Sequence, residues 1–347
     1  GDMTYQALQD YPVGGIVFAK DNIDSSSQFG TMTDNLQSYS EEISGLPLFL
    51  AAAEEGGSAS VLGNNDNLDE YYENSYSDDD SDYSSSSANS VHSGAPSMSE
   101  IGRKDDSTNA YEAGKSIGSL MSAYGLNLDL APVADVLSGN STGIGNRTFG
   151  TDAQTVSDMA LEVIRGIQEE DVNAAMKYFP GYGAASSNMS GFPVINSSLD
   201  ELKKKEFLPY SNAIAQGMDF VMVGHISVPN VTGDDTPASL SEKMISEVLR
   251  KDLGFKGIVM TDYLNDKTIV KNYGAADAAV KAIQAGADLL LEPDDLEAAY
   301  EGVLKAVKKG DITEDRLDES IYRILRVKLS MQDESSYTTE SESVSDY

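Results

Sequence analysis

Seven short runs of continuous apolar residues divide the chain: "GGIVFA" (14–19), "LFLAAA" (48–53), "LDLAPVADV" (128–136), "AAMKYF" (174–179), "FVMVGHI" (220–226), "GIVMTDY" (257–263) and "ADLLLEP" (287–293). Unbroken rather than alternating apolarity suits parallel strands buried on both faces. Helical periodicity fills most of the intervals, over about 109–124, 152–170, 199–216, 240–253 and 274–285, with two further helices at 294–309 and 314–330. Ser198 and Thr313 stand where N-caps are needed. Strand–helix alternation on this scale predicts βα units. A (β/α)8 barrel is favoured over a doubly wound open sheet, because no G-x-G-x-x-G opens a helix after a strand. The stretch before Gly14, "GDMTYQALQDYP", reads as helix, so the barrel is expected to be irregular or incomplete at its first strand.

The 347 residues are 40% hydrophobic, enough for one large domain. The expected division is a barrel domain over 1–330, an acidic low-complexity insertion at about 64–105, and a disordered acidic tail at 331–347. Both acidic stretches are rich in Ser, Asp, Glu and Tyr and hold too little apolar surface to offset the entropy of ordering. The run "SDDDSD" lacks the glycine and distal glutamate of a calcium loop, and no metal site is expected. A net charge of −33 argues against nucleic acid as a partner. No run reaches the length of a membrane span. With no cysteine and only His92 and His225, thiolate chemistry is excluded and a His-based triad has little to draw on. An acidic, cysteine-free chain fits an extracellular or cell-surface setting, with the cytoplasm as the alternative.

In a barrel, chemistry gathers where strands end. Those ends carry Glu54, Glu55, Asp135, Lys177, His225, Asp262 and Glu292. Any one of these residues is as readily a helix cap or a buried ion pair; the whole set marks a site.

Six segments, in order, resemble the catalytic barrel of glycoside hydrolase family 3, and in particular its single-domain β-N-acetylhexosaminidase branch. They are "YPVGGIVFAKDNI", "GLPLFLAAAEEGG", "LNLDLAPVADV", "GNRTFGTD", "KYFPGYG" and "PASLSEKMISEVLRKDLGFKGIVMTDYLNDKTI". The likeness extends over roughly residues 11–330. It implies retaining hydrolysis of β-linked N-acetylhexosamine or related β-glycosides, such as cell-wall fragments, with no cofactor. It places the nucleophile at Asp262. It assigns Arg147 and Lys177 to sugar hydroxyls through charge-assisted hydrogen bonds, and sets Asp135, His225, Tyr178 and Glu55 around the substrate.

Departures from the pattern are as informative. Ala53 replaces the aspartate of D-x-E-G-G, Ser58 the arginine after it, and Tyr178 and Tyr182 the two histidines of K-H-F-P-G-H-G. The flap that should bring a general acid/base histidine reads "AASSNMSG", offering only Met189 or Ser190. Glu54, Glu55 and Tyr182 are the candidate substitutes. A sugar-binding pseudoenzyme is the alternative, and a Schiff-base aldolase using Lys177 a third reading.

Overall fold

The computed structural model describes residues 2–68, 95–138, 144–186 and 191–342. Six strands form one parallel sheet in sequence order: β1 (Gly15–Val17), β2 (Phe49–Ala52), β3 (Leu128–Asp129), β4 (Asn173–Phe179), β5 (Phe220–Val223) and β6 (Ile258–Thr261). The register sets Ala51 beside Leu128 and Val221 beside Val259, and the sheet curls into half a barrel. Alternate residues then serve two layers. Phe49, Ala51, Leu128, Phe220, Met222, Ile258 and Met260 pack together on the concave side. Leu50, Ala52, Val221, Val223 and Val259 belong to the core shared with the helices.

The seventh apolar run does not become a strand. Leu289 makes an isolated parallel bridge with Met260, and its carbonyl accepts from the Thr261 amide at 3.0 Å. Residues 287–291 therefore lie beside β6 without extending the ladder, and eight strands are not formed among the described residues. As expected, Asp2–Asp10 is helical.

Several boundaries move. The 199–216 helix is two, Leu199–Lys204 and Leu208–Ala215, the second admitting Pro209 in its first turn, where no amide donor is needed. Residues Lys243–Asp252 are π-helical. The helices Ser26–Ser44 and Met98–Lys104 were not predicted. The second lies inside the span assigned to the acidic insertion, yet Met98 and Ile101 are fully buried, as is Leu68 on the other flank. The "SDDDSD" run and His92 lie outside the described residues. The last helix, Glu314–Glu342, continues past the boundary expected at residue 330. Among the described residues, no helix is long and apolar enough to cross a membrane.

Candidate active site

The C-terminal ends of β2, β4 and β6 and the loops after them bring one network together. Glu55, just past β2, is buried and gripped from two sides. Arg147 donates Nε and Nη2 to its two oxygens at 2.6 and 2.7 Å, and Lys177 Nζ lies 2.5 Å from Oε1. Burial alone would raise the Glu55 pKa, but the charges and hydrogen bonds of Lys177 and Arg147 outweigh it and hold the carboxyl below its usual range. Burial pulls the Lys177 pKa down, and its anionic and phenolic neighbours more than reverse this, leaving it raised. Lys177 is thus held as an ammonium, the opposite of what a Schiff-base lysine needs.

Arg147 Nη2 also donates to the Tyr178 hydroxyl at 2.7 Å. The Tyr178 ring meets Tyr182 edge-on at 5.2 Å, and Tyr182 Oη donates to Asp262 Oδ2 at 2.9 Å. The Tyr263 amide donates to Asp262 Oδ1 at 2.9 Å, so both carboxylate oxygens are oriented. Burial first, and the Asp262 charge second, push the Tyr182 pKa well above its ordinary value. Its phenol therefore stays protonated and available as a donor. Asp262, at the end of β6, faces a cavity of about 540 Å³ lined also by Tyr182, Phe192, His225, Tyr263 and Asn265. One wall of this cavity is the flap, whose arms pair through Ser186 and Val194; residues 187–190, with Met189 and Ser190, lie outside the described residues.

The other expected residues are bonded within the protein, His225 while also lining the cavity. His225 places Nδ1 2.7 Å from Ser239 Oγ and Nε2 2.9 Å from the Tyr263 carbonyl, so both ring nitrogens are engaged within the protein. Asp135 is fully buried and accepts from the amides of Tyr178 and Gly183 at 3.3 and 2.9 Å. Burial raises its pKa to about 7, against those two donors. The approach needs glycine: a Cβ on Gly183 would sit 2.7 Å from the Val136 carbonyl oxygen. Glu54, a candidate acid, is buried and accepts from the amides of Val61, Leu62 and Gly63. Glu292 is exposed and accepts from Asn265 at 3.1 Å. Sequence reasoning did not single out Tyr263 or Ser239; only adjacency to Asp262 could have pointed to the first. Among the described residues, no group of carboxylates and histidines is arranged to hold a metal.

The curled parallel sheet and the pocket holding Asp262 where its strands end agree with the family that the sequence resembles. The model of the glycosyl hydrolase family 3 N-terminal domain matches residues 85–327, and the chain belongs to that family. It is similar to the β-hexosaminidase LpqI of Mycobacterium bovis, 31% identical over 242 residues, covering 67% of this chain and 62% of that protein. A β-hexosaminidase of Neisseria gonorrhoeae is 28% identical over 308 residues, covering 86% of this chain and 76% of its own. Among solved structures, the family 3 β-N-acetylglucosaminidase of Paenibacillus sp. FPU-7 superposes with a TM-score of 0.83 at 31% identity, over 96% of this chain and 59% of that one. The chain thus spans about three-fifths of the length of two of these three relatives.

Proposed function

We propose that the protein is a retaining glycosidase for β-linked N-acetylhexosaminides, with Asp262 as nucleophile. The observation that carries this is Asp262 itself: a carboxylate ending a barrel strand, open to a cavity, with each oxygen fixed by one donor. The six strands and the 287–291 run are read as part of a (β/α)8 barrel of the family type. Asp262 attacks the anomeric carbon as the bond to the leaving oxygen breaks, and water then releases the sugar from the glycosyl–Asp262 ester. Arg147 and Lys177, kept cationic by Glu55, bind hydroxyls of the sugar, with Tyr178 and Tyr182 packing beside them.

One sequence feature favours a slower variant of this chemistry. The segment 184–191 holds no histidine, aspartate or glutamate. Loss of a general acid costs about 10²–10⁴ in rate. Substrates with good leaving groups, which depart unprotonated, should be turned over far better than natural glycosides. If turnover is absent altogether, the same pocket serves to bind sugar. A 5-fluoro-β-N-acetylglucosaminyl fluoride distinguishes the two. The enzyme reading requires a covalent adduct on the peptide containing Asp262, detected by mass spectrometry and absent in Asp262→Asn. Binding of N-acetylglucosamine without any adduct would leave the binding protein.

A further inference from the structure

At the opposite end of the sheet from Asp262, Lys328 of the last helix is a buried cation. It is 5% exposed, and Nζ donates to the carbonyls of Gly14, at 2.8 Å, and Pro47, the residues that lead into β1 and β2. An ammonium has three donors, and these bonds use two. Phe49 lies beneath it, with Nζ 4.9 Å from the ring centroid. No carboxylate pairs with it among the described residues. Burial alone, with no opposing charge, lowers its pKa to about 8. Lys328 lines a cavity of about 190 Å³ whose other walls are largely aliphatic, including Leu8, Val13, Ile43, Leu46 and Ile324.

A buried charge is costly until it is paired. The unused donor faces a requirement for an anion, and the walls a requirement for an apolar body. An apolar cavity of about 150 Å³ accepts benzene, so this one is sized for one small ring or a short aliphatic chain carrying one acid group. We propose that this cavity is a binding site for a small apolar monocarboxylate, its carboxylate on Lys328 Nζ and its hydrocarbon part among Leu8, Ile43 and Leu46. Such a ligand would tie the last helix to the entries of β1 and β2, and so stabilise the fold from the face away from the sugar pocket.

The probes are benzoate and its neutral isostere benzamide, read by thermal unfolding of the full chain and by saturation-transfer NMR. Benzoate at about 10 mM should raise the unfolding midpoint by about 2 °C and show saturation transfer, and benzamide should do neither. Lys328→Gln, which keeps donors for the two carbonyls and removes the charge, should abolish the benzoate response. Leu46→Phe, which fills the cavity and leaves the lysine, should abolish it as well. No benzoate response in the unmodified protein, an equal response to benzamide, or a response surviving in either folded variant would overturn the proposal.

Discussion

The Glu55 triad shows how one side chain can set the charge of a buried cluster. Two cations share one buried carboxylate, so the cluster keeps a net positive charge while neither cation is isolated. Glu55→Gln should therefore do more damage than Lys177→Ala. The first leaves two cations without their carboxylate, and breaking such a buried pair costs about 3–5 kcal/mol. The second leaves Glu55 paired to Arg147 and should chiefly weaken sugar binding; urea unfolding and sugar titration of both variants check the order. Asp135 supplies a pH test. Its folded pKa, about 7, lies above the ordinary carboxylate value, so between about pH 4 and pH 7 the unfolded chain holds fewer protons than the folded one. Asp135 thus lowers stability as pH rises through that window. The unmodified protein should lose stability relative to Asp135→Asn from pH 4 to pH 7, with the difference constant above pH 8; parallel curves across the whole range would contradict the assignment. Asp262, Lys177, Arg147 and Glu55 were legible in sequence because each closes an apolar run or sits in an ordered motif. The bond from Tyr182 to Asp262 was not, since it joins positions 80 residues apart. Adjacent residues at a strand end face opposite sides, so Glu54 turns into the loop at 61–63 while Glu55 meets Arg147 and Lys177.

At the scale of elements, the last helix is held by charge as well as by packing. Asp288, entering the seventh apolar run, receives Arg250 from the π-helical segment at 2.6 Å and Arg323 from the last helix at 3.0 Å. Ser320 of the same helix donates to it at 2.6 Å, while Arg316 binds the carbonyls of Ile283 and Ala287. Asp288→Asn would strand these guanidinium groups against one another. It should destabilise the protein by about 3 kcal/mol or more and speed hydrogen exchange first in 287–291 and 314–328. Uniform acceleration across all six strands would show that the last helix does not open separately. The elements most legible in sequence were the strands, because unbroken apolarity over a short run is what a strand buried on both faces requires. The helix Ser26–Ser44 escaped because its buried face alternates Ser26, Phe29, Thr33, Leu36 and Ser40, too polar to register as an apolar stripe. The 287–291 run was read as a strand because apolarity reports burial, whereas strand pairing also needs a neighbour on which to build a ladder.

The whole molecule carries 57 acidic against 24 basic residues. Surface charges of one sign repel within the compact state and destabilise it, and the repulsion is screened over a Debye length of roughly 30 Å at 0.01 M salt and 3 Å at 1 M. The main attractive pairs behave differently: the Glu55 triad and the Asp288 cluster are largely buried and feel added salt little. Screening should therefore remove more repulsion than attraction. The unfolding midpoint is expected to rise by several degrees between about 10 mM and about 500 mM sodium chloride, and by the same amount in choline chloride, because ionic strength and not a particular cation is responsible. A larger rise with calcium at equal ionic strength would instead indicate specific cation binding by the acidic segments. A midpoint that falls with salt would mean that exposed ion pairs, such as Lys203–Asp252, outweigh the net charge. If the cavity at Asp262 takes the sugar as proposed, its buried walls, Tyr182 and His225 among them, should keep affinity for N-acetylglucosamine nearly constant over the same salt range even as stability climbs, which separates the charge of the surface from the charge of the site.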